Sequence, residues 1–398
     1  RSCHSRVDAG AVVRKPEQSM TIAAQHECLV IGGGLAGSMA ALRLARAGRP
    51  VLLVEREAAA HAKVCGEFLS PEAVAYLRHA GVDPLALCAA GIGRLRVLMG
   101  RRAIEVELPF QALSLSRSAL DEALLQRARD AGAGVRRGIA LTRLQRGPNG
   151  WVAACSDGAS LEARSVFLAT GKHDLRGWAR PAGAHNDLVG FKMHWRLAPA
   201  QVQVLRGVMA LFLFADGYGG LTLVEDDLAN LCLVVRRSRL QRSGGWMELL
   251  AEIAQGNPAM AELLAGADPL WKRPLAISPI PYGFLAGGSA ARDGLWRLGD
   301  QAAVIPSFTG DGMSIALHSG ALAAAMYLAG ASAGAYQRAM RRQLHSGIRL
   351  ATLVSRAMVS GMGRMAAPVA LAVCPAVIRW IAEGTRIPAG ALAEMALV

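Results

Sequence analysis

Short apolar runs alternate with amphipathic stretches through the first third of the chain. An apolar run at 28–31 is followed by an Ala/Leu/Arg-rich stretch at 38–47, and a second apolar run covers 51–54. The amphipathic stretch ends before Gly48, a residue type suited to the C-terminus of a helix. This alternation of strands and helices predicts an α/β fold with a parallel sheet.

From about residue 188 the pattern changes to successive strand-like runs at 189–197, 208–214, 220–224 and 231–235. In the first run apolar and polar side chains alternate strictly, which is typical of a strand with two different faces. The polar face carries Lys192, His194 and Arg196. We predict an antiparallel sheet here, with His194 either a solvated strand residue or a catalytic one.

The two ends of the chain differ from its middle. Residues 1–25 are polar, lack an apolar core of signal-peptide length and are expected to be a disordered extension, with Met20 a candidate start. Residues 336–398 are predicted to form helices, and the apolar stretch 366–378 among them is too short to span a bilayer. Core packing explains this stretch; peripheral contact with a membrane is the alternative.

The first strand runs into the sequence G-x-G-x-x-G, with glycine at 32, 34 and 37. This spacing permits a tight turn, a close approach of the backbone to a diphosphate and close packing of the next helix on the sheet. Glu55 follows the second strand at the interval expected for a carboxylate that binds ribose hydroxyls. These features predict a dinucleotide with its diphosphate at the helix N-terminus.

Near the other end, a strand leads into Gly299-Asp300, and a glycine-bearing loop at 306–312 opens a helix. This arrangement resembles the Gly-Asp signature of FAD-dependent oxidoreductases of the p-hydroxybenzoate hydroxylase type. The segments 116–124 and 166–171 resemble two further motifs of that family, in the same order. The resemblance implies FAD as the cofactor, with Arg117 reaching toward it; a solvated arginine at a helix start is the alternative. The residues expected to bind FAD are Gly32, Gly34, Ala36, Gly37, Glu55, Arg56, Cys65, Gly66, Arg117, Thr170, Gly171, Asp300, Pro306, Gly310, Asp311, Gly312 and Met313.

The segment Lys63-Val64-Cys65-Gly66 resembles the geranylgeranyl reductase branch of this superfamily, in which the cysteine lies beside the flavin ring. A small buried hydrophobic residue is the alternative reading of Cys65. The aromatic run of that branch is reduced here to Tyr218. Cys65, Tyr218 and His194 are the candidate catalytic residues.

The resemblance implies a Rossmann-like FAD-binding domain with an inserted antiparallel-sheet substrate domain and a C-terminal helical region. We predict the FAD-binding domain at 26–185 and 275–335, the substrate domain at 186–274 and the helices at 336–398. Residues 66–112 are expected to contribute in part to the substrate side. In this family the substrate-domain sheet covers the flavin.

The net charge is +14, which favours an anionic partner or surface, although solvated arginine-rich faces explain it equally well. Since no nucleic-acid-binding motif accompanies the charge, no nucleic-acid partner is predicted. Seven scattered cysteines indicate a reducing, cytoplasmic compartment without disulfides, and no metal-ligand set is complete.

We therefore predict an FAD-dependent oxidoreductase that acts on a hydrophobic small molecule such as a lipid, an isoprenoid or a polyketide. A monooxygenase of an aromatic or polyketide substrate is one alternative, and a flavin-stabilised binding or assembly protein without turnover is another. The nicotinamide-linked motif of the hydroxylases is not intact at 170–176. The expected electron donors are NAD(P)H, a partner flavin reductase or a ferredoxin.

Overall fold

A computed structural model describes residues 25–181, 183, 187–287, 293–360 and 376–395. The predicted extension, apart from Gln25, and most of the apolar stretch 366–378 lie outside these residues. The strands are β1 (Gln25–Ile31), β2 (Val51–Glu55), β3 (Phe68–Leu69), β4 (Ala90–Met99), β5 (Arg102–Ser114), β6 (Gly134–Arg137), β7 (Leu141–Gly147), β8 (Gly150–Cys155), β9 (Ser160–Leu168), β10 (Leu188–Arg196), β11 (Gly207–Phe214), β12 (Gly217–Leu223), β13 (Leu228–Arg236), β14 (Asp268–Pro269), β15 (Leu275–Ile277), β16 (Phe284–Leu285), β17 (Leu295–Arg297) and β18 (Ala303–Val304). The helices are α1 (Leu35–Arg46), α2 (Pro71–Ala80), α3 (Arg117–Asp130), α4 (Pro199–Leu205), α5 (Arg237–Ser243), α6 (Trp246–Gly256), α7 (Pro258–Leu263), α8 (Gly312–Leu328), α9 (Ala333–Val359), α10 (Ala376–Gly384) and α11 (Ala389–Ala393).

The first sheet has the strand order β6-β2-β1-β9-β8-β7, and β17 also pairs with β9. The pairs β1–β2, β1–β9, β2–β6 and β9–β17 are parallel, whereas β7, β8 and β9 form antiparallel pairs. Helices α1, α3 and α8 pack together beside it. Gly320 permits the close contact between α1 and α8, because a Cβ there would lie 2.2 Å from the Ala36 carbonyl oxygen. The predicted α/β fold is confirmed.

The second sheet has the order β14-β10-β13-β12-β11-β4-β5-β3, with β15 also paired to β10. Phe191, Met193 and Trp195 of β10 belong to an apolar core that also contains residues of α4, α6 and α7. Two details correct the sequence-based description. The pair β4–β11 is parallel, so the sheet is mixed. Residues 275–277 pair with β10 in this sheet, although the prediction placed them in the FAD-binding domain.

The helices near the C-terminus begin with α9, which is 27 residues long and starts after Ser332, whose side chain accepts a hydrogen bond from the Ala335 backbone N–H. Gly347 in the middle of α9 lies close to the backbone at Gly384 and Thr385, so α10 packs against this helix. Within the described ranges, no helix is both long and apolar enough to cross a membrane.

Candidate functional site: a dinucleotide site joined to an apolar chamber

The turn between β1 and α1 has the backbone geometry that its glycines allow. Gly32 has a φ of +106°, and a Cβ there would lie 2.4 Å from the Ala169 carbonyl oxygen. Gly37 lies beneath the turn, where a Cβ would overlap the Gly32 carbonyl oxygen. The Gly33 N–H donates to Glu55 Oε2 at 2.5 Å, so the carboxylate at the end of β2 fixes the turn. Helix α1 begins at Leu35, directly after this turn, three residues earlier than the predicted stretch.

Gly34 faces an open space with positive charge around it. A Cβ at this position would have Lys63 Nζ at 3.4 Å and Arg117 Nη2 at 3.6 Å as its nearest neighbours. Both cations bind Asp121, Arg117 through two hydrogen bonds of 2.9 Å and Lys63 through one of 2.8 Å. Burial opposes the ionisation of Asp121, but the charges of Arg117 and Lys63 hold its pKa below the usual range. Two positive charges against one carboxylate leave a net positive charge beside a helix N-terminus, which suits a diphosphate.

The loop before α8 forms the opposite wall of this space. Asp300 pairs with Lys172, with 3.3 Å between its carboxylate oxygen and the ammonium nitrogen. Gly310 has a φ of +75° and packs on the Phe68 ring, where a Cβ would lie 2.4 Å from Cδ1. Gly312 and Met313 open α8 beside it.

Asp311 is oriented differently from the prediction. Its side chain is buried and contacts Thr385 Oγ1 at 3.2 Å and the Arg386 guanidinium at 3.5 Å. It therefore binds the segment after α10 rather than lining the cavity. Burial raises the pKa of this carboxyl to about 7, although the Arg386 charge opposes the shift.

A cavity of about 1390 Å³ joins the glycine turn, the Cys65 loop and the second sheet. Most of the predicted residues line it: Gly32, Gly34, Ala36, Glu55, Arg56, Cys65, Gly66, Arg117, Thr170, Gly171, Tyr218, Asp300, Gly310, Gly312 and Met313. Gly37, Pro306, Asp311 and His194 do not belong to its lining. Arg117 is nearly buried, with a side-chain exposure of 13%, and is not a solvated helix-start residue.

A buried charge cluster lies directly behind Cys65. Glu67 is fully buried with a φ of +59°, and its carboxylate binds Lys192 Nζ, His194 Nε2 at 2.8 Å and the Arg117 N–H at 2.6 Å. Burial opposes the charge on Glu67, but the hydrogen bond with His194 and the charge of Lys192 lower its pKa. Lys192 and His194 of β10 thus face Glu67 in the Cys65 loop, and His194 is buried rather than solvated, whereas Arg196 is exposed. Lys192 and His194 lie more than a hundred residues from Glu67 along the chain, so no local sequence signal marks Glu67 or Lys192 as a site residue.

The far end of the cavity is an apolar chamber. The second sheet contributes Leu95, Val97, Met209, Leu211 and Leu213, and the C-terminal helices contribute Val354, Ala357, Met358, Val377, Ile378 and Ile381. Tyr218 lies on the sheet side, with its ring edge-on to Phe308 at 6.1 Å. Tyr282 and Trp271 also line the cavity, so aromatic side chains reach it from elements other than β12.

Comparison with known proteins agrees with this geometry. Residues 25–169 match the family described as the FAD binding domain. Among curated proteins, Protein FixC of Escherichia coli O157:H7 is 28% identical over 75% of both chains. Digeranylgeranylglycerophospholipid reductase 2 of Methanopyrus kandleri is 28% identical over 75% of this chain and 76% of that protein. The probable electron transfer flavoprotein-quinone oxidoreductase YdiS of E. coli K12 is 27% identical over 77% of each.

The fold is shared with solved flavoprotein structures. The flavin-dependent brominase Bmp2 superposes with a TM-score of 0.71 at 16% identity, covering 94% of this chain and 98% of the brominase. The halogenase PltM superposes with a TM-score of 0.70 at 14% identity, covering 84% and 77%. At these identities the likeness concerns the fold alone.

The glycine turn, the Gly-Asp loop and the matched domain define an FAD-binding flavoprotein. The chain is an FAD-dependent oxidoreductase or monooxygenase that is similar in sequence to Protein FixC and to a geranylgeranyl lipid reductase. The match of residues 25–169 to the FAD binding domain confirms the prediction that FAD is the cofactor.

Proposed function

We propose that this flavoenzyme acts on a hydrophobic small molecule in the manner of the geranylgeranyl reductases. The observation that carries the proposal is the continuous cavity from the glycine turn to the apolar chamber. Cavities that bind small molecules are mostly apolar with a few polar groups, and this chamber has aliphatic walls on two sides. An extended apolar substrate would bury its surface there, next to the flavin-binding loops.

The residues at the glycine turn fit FAD. Gly34 leaves room for a diphosphate, Lys63 and Arg117 supply positive charge, and Glu55 and Asp300 offer carboxylates for hydroxyl groups. When bound, FAD supplies the electron or hydride transfer, while the protein binds and orients it. Cys65 lines the cavity next to Gly66, consistent with a flavin-proximal position.

Reduction of the substrate is favoured over oxygenation on two grounds. Cys65 lies on the cavity wall, and its segment resembles the reductase branch. One of the relatives carries the name of a reductase of a geranylgeranyl lipid. Oxygenation of an aromatic or polyketide substrate remains the second candidate, because Tyr218, Tyr282, Phe308 and Trp271 would suit a flat ring.

The electron donor is proposed to be anionic. Arg56, Lys172 and Arg273 are all cationic and line the cavity. NAD(P)H, whose phosphates are negatively charged, satisfies this condition, and a partner flavin reductase and a ferredoxin are the other proposed donors. The name of the relative YdiS, a probable electron transfer flavoprotein-quinone oxidoreductase, favours a protein donor.

We further propose a peripheral membrane contact at the C-terminal helices. Leu353 of α9 and Trp380 of α10 are each 61% exposed, and the exposed Arg349 and Arg379 belong to the same two helices. Tryptophan and arginine together are typical of a surface that lies on an anionic bilayer. The apolar chamber is lined by these two helices, so a lipid would have a short path into it.

The decisive experiment separates the three functional classes. The purified flavoprotein is reduced with dithionite without oxygen and mixed with geranylgeraniol, as an isoprenoid probe, or with 2-naphthol, as an aromatic probe. Flavin reoxidation without oxygen, with a saturated product, supports the reductase. A hydroxylated product formed only when oxygen is admitted supports the monooxygenase. Probe binding without any product supports a protein without turnover and contradicts the proposal.

A further inference from the structure

Arg180 is a buried arginine close to the dinucleotide site, although it does not belong to the cavity lining. Its side chain is 3% exposed. Nε donates to Asp174 Oδ1 at 2.7 Å, Nη1 donates to the Asp300 carbonyl oxygen at 2.9 Å, and Nη2 donates to the Lys172 carbonyl oxygen at 2.8 Å. One guanidinium therefore joins the turn after β9 to the Gly-Asp loop, which is more than a hundred residues further along the chain.

Gln301 makes a second link between the same two loops. It is fully buried, and its Nε2 donates to the carbonyl oxygens of Gly171 at 2.9 Å and His173 at 3.2 Å. Together with Arg180, it supplies donors to three successive carbonyls of the turn. A carbonyl withdrawn from water needs such a donor, so these bonds hold the turn in one position relative to Asp300.

The segment that carries Arg180 is anchored to the first sheet. Trp178 packs edge-on against Trp151 of β8, with 5.3 Å between the ring centres, and its indole N–H donates to the Leu144 carbonyl oxygen of β7 at 2.9 Å. A guanidinium presents its donors in a fixed planar arrangement, which a lysine ammonium cannot reproduce. The anchored Arg180 therefore fixes both loops at the same time.

The side chains of Lys172 and Asp300 face each other on the cavity wall. The ammonium nitrogen and the carboxylate oxygen are 3.3 Å apart, and both side chains are partly exposed. Both residues line the cavity. Hydrogen bonds weaken steeply when their angle departs from linearity, so a carboxylate that binds a hydroxyl group of FAD needs a fixed backbone. Arg180 binds the backbone of both residues of this pair.

We propose that Arg180 is a positioning residue for FAD, which holds the backbone of Asp300 and Lys172 so that their side chains meet the cofactor. The inference rests on the proposed function, because it needs Asp300 to bind a hydroxyl group of FAD. Removal of the guanidinium is compatible with folding, since the Asp174 side chain is 35% exposed and water can solvate it. A residue that acts through the Asp300 carboxylate has no effect on FAD once that carboxylate is removed.

A double-mutant cycle tests the inference. Wild type, Arg180→Met, Asp300→Ala and the double variant are each loaded with excess FAD and diluted, and the released FAD is measured by fluorescence. Asp300→Ala is expected to raise the Kd by roughly 12- to 160-fold, the range for one hydrogen bond to a charged group. Arg180→Met is expected to raise it by about tenfold in the wild-type background and by less than about twofold in the Asp300→Ala background.

Arg176→Met is the matched control, because Arg176 is an exposed arginine of the same segment and does not line the cavity. Its Kd for FAD is expected to equal that of the wild type. Arg180→Lys keeps the charge without the planar set of donors, and its Kd is expected to lie between those of Arg180→Met and the wild type. If Arg180→Met does not fold, Arg180→Lys takes its place in the cycle under the same criterion.

Equal effects of the Arg180 substitution in the two backgrounds overturn the inference and leave the contact between Asp300 and FAD intact. An unchanged Kd for Asp300→Ala overturns that proposed contact and the inference together. A loss of affinity in Arg176→Met as large as in Arg180→Met also overturns the inference, because it shows a general effect of charge on this segment.

Discussion

Lys192 is a lysine with no exposed surface, and such a residue requires a partner to compensate its charge. Glu67 supplies that charge, and His194 and the Arg117 N–H complete the hydrogen bonds of the carboxylate. Since Glu67 is two residues after Cys65, the cluster fixes the loop that carries the thiol. The loop that carries Cys65 therefore has little freedom to move relative to β10.

Removal of one partner of this cluster should be costly. Lys192→Met leaves the Glu67 carboxylate buried with a neutral neighbour, and we expect the free energy of unfolding to fall by about 3–5 kcal/mol. Urea unfolding followed by circular dichroism measures the change. Arg49→Met is the control, because its pair with Glu27 is partly exposed and should contribute about 0–1 kcal/mol. Equal effects of the two substitutions would contradict the assignment of a buried ion pair.

Gly34 should separate cofactor binding from folding. A Cβ there has no neighbour closer than 3.4 Å, so Gly34→Val should fold, but its side chain would occupy the space proposed for the diphosphate. We expect a thermal midpoint near that of the wild-type apoprotein and loss of bound flavin, measured by visible absorbance. Gly91→Val in β4, where a Cβ meets nothing within 4 Å, should retain flavin. A yellow Gly34→Val protein with full occupancy would refute the position of the diphosphate.

The glycines were predictable from sequence because their backbone role depends on local spacing. The same is true of Glu55, the last residue of β2, and of Asp300, which lies three residues after β17. Glu67 and Lys192 were not predictable, since a charged residue shows its burial only when its partner from a distant segment is in place. Asp311 was expected to bind FAD from the resemblance of its loop, and the contact of its side chain with Arg386 has no local sequence signal.

At the scale of elements, the start of α8 is tied to the C-terminal segment. Arg386 binds Glu72 of α2 at 2.8 Å, lies 3.5 Å from Asp311, and has its guanidinium 3.8 Å from the centre of the Phe110 ring. Thr385 and Arg386 also line the cavity. Asp311, the residue directly before α8, therefore links the start of that helix to the segment after α10, which lines the same cavity.

The buried Asp311 carboxyl makes the free energy of unfolding depend on pH in a defined direction. The Asp311 pKa is about 7 in the folded protein against an ordinary value of 3.8, so the folded state binds more protons between these values. The free energy of unfolding contributed by this group therefore falls as pH rises from about 4 to 7 and is constant above that range. Asp311→Asn cannot ionise and should lack this decline. Urea unfolding at pH 5, 6, 7 and 8 measures it, and parallel curves for variant and wild type would contradict the burial argument.

Most helices and strands were predictable, because the repeat of apolar and polar residues that marks a strand or a helix lies within a short stretch of sequence. The parallel pairing of β4 with β11 was not, since it joins residues more than a hundred positions apart. The boundary at 275 was also misplaced, because β15 is three residues long and carries no periodic signal.

At the scale of the molecule, the surface next to the chamber should bind anionic membranes. We expect the flavin-loaded protein to co-sediment with phosphatidylglycerol vesicles, less so at high salt and less so for Leu353→Ser combined with Trp380→Ser. Met247→Ser is the control, because Met247 is 63% exposed but lies on α6. Equal sedimentation of all three proteins would contradict a specific membrane surface.

The division of the cavity wall between distant segments has an evolutionary consequence. The end proposed to bind flavin is built from the glycine turn, the Cys65 loop and the start of α8, whereas α9 and α10 line much of the chamber. Substitutions in these two helices can alter which molecule enters without changing any residue at the glycine turn. A lineage of such proteins could acquire new substrates by varying α9 and α10 while inheriting its redox chemistry unchanged.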